Sequence, residues 1–116
     1  MTATELCTIL EGQRFPCATE ERLQVAVADH LTAAGVTFTR EHRLSAEDRV
    51  DFLVGDVVVE LKTKGSLAAV TRQLMRYAQY DHVRELLLVT SRMQLASVPK
   101  TLNGKPVHVS IQWGGL

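Results

Sequence analysis

Residues 49–62, RVDFLVGDVVVELK, constrain this chain more than any other stretch. Two runs rich in β-branched residues flank Gly55-Asp56, the pattern of a two-residue β-hairpin loop. That loop sets a register in which Val54 faces Val57, Leu53 faces Val58, Phe52 faces Val59 and Asp51 faces Glu60. Side chains alternate along a strand, and directly paired residues share a face. Asp51, Glu60 and Lys62 are therefore expected together on one face, at the open end of the hairpin. The other face, Phe52, Val57, Val59 and Leu61, is apolar and suits a core.

The flanking segments read as alternating helices and strands. Residues 4–10 suit a short helix. Thr19 is an N-cap for a second helix, with Glu20 and Glu21 in its first turn, where acids complement the helix dipole. Leu23, Val27, Leu31 and Ala34 recur at helical spacing, and Gly35 closes the helix. Residues 36–44 read as a strand and 45–48 as a polar turn. Ser66 caps a helix expected to run to about Tyr80, with Leu67, Val70, Leu74, Tyr77 and Ala78 on its apolar face. Residues 85–91 form a buried strand, 93–98 a turn or short helix, and Asn103-Gly104 a turn. Residues 107–113 alternate through Val107, Val109, Ile111 and Trp113 as a last strand. The class is α/β, a mixed central sheet flanked by helices.

Size and charge limit the function. A chain of 116 residues holds one domain. Its 13 basic residues balance its 13 acidic ones, which argues against binding nucleic acid through bulk charge. No apolar run approaches the roughly 20 residues that span a bilayer. The N-terminal residues lack the basic region and apolar stretch of a secretory signal, so a cytoplasmic location is expected. Cys7 and Cys17 do not make a disulfide framework, and four scattered histidines do not outline a zinc site.

The chemistry concentrates at the hairpin's open end. Two carboxylates placed directly opposite repel one another, and a divalent cation would neutralise them. Carboxylate oxygens, with the Leu61 backbone carbonyl as a further hard donor, suit Mg²⁺ or Mn²⁺. Lys62 can orient a water or stabilise charge developing on a phosphate. The set equips a chain for metal-assisted phosphodiester hydrolysis. The alternative is an edge hairpin with a solvated face and a Glu–Lys pair. Glu20 lies on the Leu23/Val27/Leu31 stripe and faces the sheet, where it can approach the same cation. Glu21, about 100° round the helix, is the other candidate. Gln73 and Tyr77 are four apart and share one helix face.

Taken in order, these residues resemble the PD-(D/E)xK nuclease superfamily. Asp51, Glu60 and Lys62 match its signature, with Val50 where the name has Pro. Glu20 matches the acid of its first helix. Gln73 and Tyr77 resemble the QxxxY motif of its RecB-like branch. The resemblance implies a restriction-endonuclease-like αβββαβ core over residues 19–91. Residues 1–18 are then an N-terminal extension, and 92–116 a C-terminal strand and tail. It implies a Mg²⁺-dependent DNA nuclease, with Mn²⁺ able to substitute and no iron–sulfur cluster, since that needs four cysteines. An endonuclease is the leading form; a resolvase of Holliday junctions or branched DNA, or a weakly active binding or inhibitor module, are the alternatives. Asp51, Glu60, the Leu61 carbonyl and Glu20 would hold the metal, Lys62 would position water, and Gln73 and Tyr77 would shape the substrate side. Lys64, Arg72, Arg76 and Arg49 are the basic residues placed to meet DNA. Small members are often encoded by phages or mobile elements and act as homodimers, consistent with two sites cutting two strands. Trp113 would belong to such an interface or to the core.

Overall fold

The computed structural model describes residues 1–112. Trp113, with both roles considered for it, lies outside them. The order is α1 (Ala3–Leu10), α2 (Glu20–Ala33), β1 (Thr39–Arg43), β2 (Arg49–Val54), β3 (Val57–Lys62), α3 (Leu67–Tyr77), β4 (Glu85–Thr90), a 3-10 helix (Met93–Ser97), β5 (Thr101–Leu102) and β6 (Lys105–Ile111). The six strands form one mixed sheet in the order β1-β2-β3-β4-β6-β5. The first three meander antiparallel, β4 lies parallel to β3 and to β6, and β5 pairs antiparallel with β6. The α/β class is as the sequence predicts.

Local signals fix most boundaries. Thr19 and Ser66 each cap their helix by accepting a backbone N–H three residues on, from Arg22 and Ala69. At the end of α2, Gly35 takes φ +77°. The Val36 N–H then reaches the Leu31 carbonyl at 2.9 Å and the Gly35 N–H reaches Thr32 at 3.0 Å. This is a Schellman closure, which a left-handed glycine makes without strain. It also corrects the strand expected from residue 36: Val36 is spent on the helix cap, and β1 starts at Thr39. Gly55 has φ +61° and Asp56 does not share the left-handed conformation, so the hairpin turn is type II′. The register from Val54↔Val57 to Phe52↔Val59 is the predicted one. Helix α3 stops at Tyr77, short of the expected Tyr80, with Ala78 as its C-cap. Thr101 and Leu102, not anticipated as a strand, pair back onto β6 through the Asn103-Gly104 turn.

The sheet separates two cores. On one side α1 and α2 set Leu6, Leu10, Leu23, Val27 and Leu31 against Phe52, Val59, Leu61, Leu87 and Val89. On the other, α3 and the 3-10 helix set Val70, Leu74, Tyr77 and Leu95 against Val58, Leu86 and Leu88. Each fully buried leucine contributes roughly 1.5–3 kcal/mol relative to exposure. Strands β3 and β4 are covered on both faces, which explains their unbroken apolar runs. Cys7 and Cys17 are half-buried and free. Among the described residues no helix is long and apolar enough to cross a membrane.

Candidate active site

The hairpin does not have a solvated face. Strand β3 is third of six, and Glu60 on it is only 3% exposed. That overturns the edge-hairpin alternative: both edges of β3 are paired, and helix layers cover both of its faces, leaving no open face for a surface Glu–Lys pair. Lys62 Nζ lies 3.5 Å from Glu60 Oε2 and is itself largely covered.

Asp51 and Glu60 come together, but not as a plain cross-strand pair. The β2–β3 ladder ends at Phe52↔Val59. Beyond it, the Asp51 N–H donates to Glu60 Oε1 at 3.2 Å, and the Leu61 N–H donates to Asp51 Oδ2 at 2.8 Å. Side-chain oxygens have replaced the ladder carbonyls. The β1–β2 ladder skips the same position, opposite Glu41, whose φ is +48°. Val50 packs into the α3-side core, whereas Phe52, two residues on, packs on the α1/α2 side. The strand therefore twists at Asp51, and strict alternation fails where the acid sits. Both neighbouring ladders are open there, so the Asp51 carboxylate is free to reach backbone and helix donors.

Helix α2 reaches this end of the sheet with two side chains one turn apart. Glu20 Oε1 accepts the Thr63 N–H at 3.2 Å, on the first residue past β3. Gln24 Nε2 donates to Asp51 Oδ1 at 3.2 Å, and Gln24 Oε1 accepts from an Arg40 guanidinium nitrogen at 2.9 Å. Between the two first-turn acids the geometry selects Glu20; Glu21 is exposed. Glu20 is not, however, the third member of a ligand cluster. Among the described residues no three His, Cys, Asp or Glu side chains are grouped to hold a metal. The reason is visible in the contacts: the Thr63 amide holds the Glu20 carboxylate, which acts on Asp51 through its charge.

Burial dominates the electrostatics. It pushes the Glu60 carboxyl up to about 8, with the Asp51 charge adding to the rise and Lys62 opposing it. Burial also raises Asp51, against the pull of the Leu61 N–H and Lys62. The Tyr77 hydroxyl is pushed up by burial and then by the Glu60 charge, while a hydrogen bond with the Gln73 side chain opposes the rise. Tyr77 donates to the Arg49 carbonyl at 3.2 Å. Its hydroxyl is thus committed to the backbone of β2.

A cleft of about 490 Å³ opens between the end of β3 and α3, lined by Glu20, Lys62, Lys64, Arg72, Gln73 and Arg76; it meets the acid pair through Lys62, and neither Asp51 nor Glu60 lines it. Of the four basic residues proposed to meet DNA, Lys64, Arg72 and Arg76 border it. Arg49 is exposed but does not. Arg76 also holds Asp48, Nε to Oδ1 at 3.2 Å. A larger cavity of about 600 Å³, between α1 and β6, includes Cys7, Thr8 and Ser110 and none of the candidate site residues.

Two contact residues, Gln24 and Thr90, escaped the sequence reading. Gln24 is far from the hairpin in sequence, and a glutamine one turn after an acid is an ordinary helix-surface pattern. Thr90, fully buried at the end of β4, donates to the Lys62 carbonyl at 2.7 Å and accepts from Arg92 N–H. Its only signal was a hydroxyl ending an apolar run. Comparison with family models, curated proteins and solved structures gives no match.

Proposed function

We propose that this protein is a divalent-cation-dependent nuclease that hydrolyses phosphodiester bonds in DNA. The observation that carries the reading is the acid pair, with Glu60 buried and Asp51 half-buried. Two carboxylates meet at the end of an interior strand, one pushed up to about 8, beside a lysine and a cleft bordered by further cations. A fold without use for such a pair would replace it with apolar side chains at little loss.

The donor set fits a hard cation. Asp51 and Glu60 offer carboxylate oxygens, and a divalent charge would remove the repulsion that now disfavours their joint ionisation. When bound there, Mg²⁺ or Mn²⁺ supplies Lewis acidity to a phosphate oxygen and lowers the pKa of water. Lys62, held by the Glu60 carboxylate, presents its ammonium at the cleft to orient water and offset phosphate charge. Lys64 and Arg72 are placed to meet backbone phosphates, which position nucleic acid without reading its sequence. Gln73 lines the cleft, and Tyr77, one turn on and buried, donates to the Arg49 carbonyl.

The test is a cleavage panel of supercoiled, duplex, single-stranded, flap and four-way-junction DNA with Mg²⁺ and Mn²⁺. Wild type is compared with Asp51→Asn, Glu60→Gln and Lys62→Met. Cleavage by wild type alone is expected; equal cleavage by all four proteins overturns the proposal. A second reading, a nucleic-acid-binding module without turnover, draws on one observation. Each of the four carboxylate oxygens already faces a protein donor. Mn²⁺ and DNA binding with no cleavage in any arm would select it.

A further inference from the structure

We infer that Gln24 is a positioning residue for Asp51, with its amide oriented by Arg40; the inference rests on the nuclease reading above. Asp51 sits where both neighbouring ladders are interrupted, so no regular backbone pairing aims its carboxylate. Two donors do so instead: the Leu61 N–H on Oδ2 and Gln24 Nε2 on Oδ1. The first belongs to β3 and the second to α2, so the carboxylate is held from the strand and from the helix layer. An ionised carboxylate only accepts, and a guanidinium only donates. Gln24 lies between one of each. Its oxygen must face Arg40 and its NH₂ must face Asp51, which is the arrangement observed. Groups that orient a metal-holding carboxylate typically contribute about 10–100-fold to affinity or activity.

The isosteric change Gln24→Glu distinguishes donation from packing. A glutamate keeps the shape and the Arg40 contact but turns an acceptor toward Asp51. Gln24→Leu removes both polar contacts, and Arg40→Ala removes the outer one. Mn²⁺ affinity by calorimetry, kcat and KM on plasmid DNA, and thermal melting are measured for wild type, for these variants, for the Gln24→Leu/Arg40→Ala double variant and for Asp51→Asn. The inference expects kcat to fall about tenfold or more for both Gln24 variants, with KM within about twofold and melting close to wild type. Arg40→Ala should lower kcat by a smaller factor, and that factor should vanish in the Gln24→Leu background, because Arg40 acts through Gln24. Wild-type kcat in Gln24→Glu, or factors for Gln24→Leu and Arg40→Ala that multiply independently, overturn the inference while leaving the nuclease reading in place. A wild type that neither binds Mn²⁺ nor cleaves, matching Asp51→Asn, overturns the nuclease reading and the role assigned to Gln24 with it.

Discussion

Two buried acids lie 12 residues apart in this chain, and their surroundings are opposite. Asp48 closes the turn between β1 and β2 and is fully provided for. Arg76 Nε reaches its Oδ1 at 3.2 Å, the Tyr80 hydroxyl its Oδ2 at 2.8 Å, and its own N–H donates to Ser45 Oγ. Glu60 is buried more deeply, yet its near neighbours include a second carboxylate, and among the described residues one cation, Lys62, answers both acids. Burial of an acid therefore does not mark a site. Asp48 tethers the β1–β2 turn to α3 and the segment after it, whereas Asp51 and Glu60 form a pair that needs something more to balance it.

The largest expected effect separates these roles. Glu60→Gln should reduce cation-dependent cleavage by more than about 100-fold, yet melt no lower than wild type, because burial already disfavours the charge that the neutral amide lacks. Differential scanning calorimetry beside the cleavage assay measures both. If Glu60→Gln melted well below wild type and kept its activity, Glu60 would belong with Asp48 as a structural acid.

Asp48→Ala should behave in the opposite way. It leaves the Tyr80 hydroxyl and the Arg76 head without their acceptor, a loss of about 2 kcal/mol, since Arg76 is mostly solvated and its share is small. Melting should drop by roughly 8 °C, with kcat changed far less than in Glu60→Gln. An unchanged melting point would remove the tether from the comparison.

The pH dependence of stability sharpens the contrast further. The unfolded chain releases the Glu60 proton near its ordinary 4.5, whereas the folded protein holds it to about 8. Glu60 therefore stabilises the fold fully below about pH 4.5, and that contribution is lost as pH rises toward 8. Asp51, also raised, acts in the same direction. In urea titrations without divalent cation, wild type should lose stability across that window relative to Glu60→Gln. Parallel pH profiles for the two proteins would contradict the burial argument.

Tyr77→Phe should have the smallest effect. It removes the hydroxyl from the Arg49 carbonyl, a loss of about 1 kcal/mol, and leaves the buried ring in place. Urea midpoints and kcat measure it. A kcat loss beyond about tenfold would show that the hydroxyl meets substrate rather than the β2 backbone.

Much of the fold was legible because its signals are local. Thr19 and Ser66 cap within three residues, and Gly55-Asp56 sets its register within one turn. Asp51, Glu60 and Lys62 could be brought together on paper for the same reason, since one hairpin carries them. The rest was not legible because it depends on partners distant in sequence. Glu60 is buried by the parallel pairing of β3 with β4, which begins 25 residues later with Val58↔Leu86 one step along from Val57↔Glu85. Gln24 gains its role only when α2 packs over the end of β2. Thr63, which no pattern singled out, holds the Glu20 carboxylate that spacing had aimed at a metal.

The sequence by itself determined the α/β class, the helix caps, the hairpin register and the meeting of Asp51, Glu60 and Lys62. Each follows from contacts within a few residues or across one tight turn, where backbone geometry leaves few choices. The tertiary structure alone decided that Glu60 is buried in an interior strand, that β2 twists at Asp51, and that Gln24, itself bonded to Arg40, holds the Asp51 carboxylate. Those outcomes depend on which layers cover the sheet, and a strand's alternation records its two faces but not what packs on them.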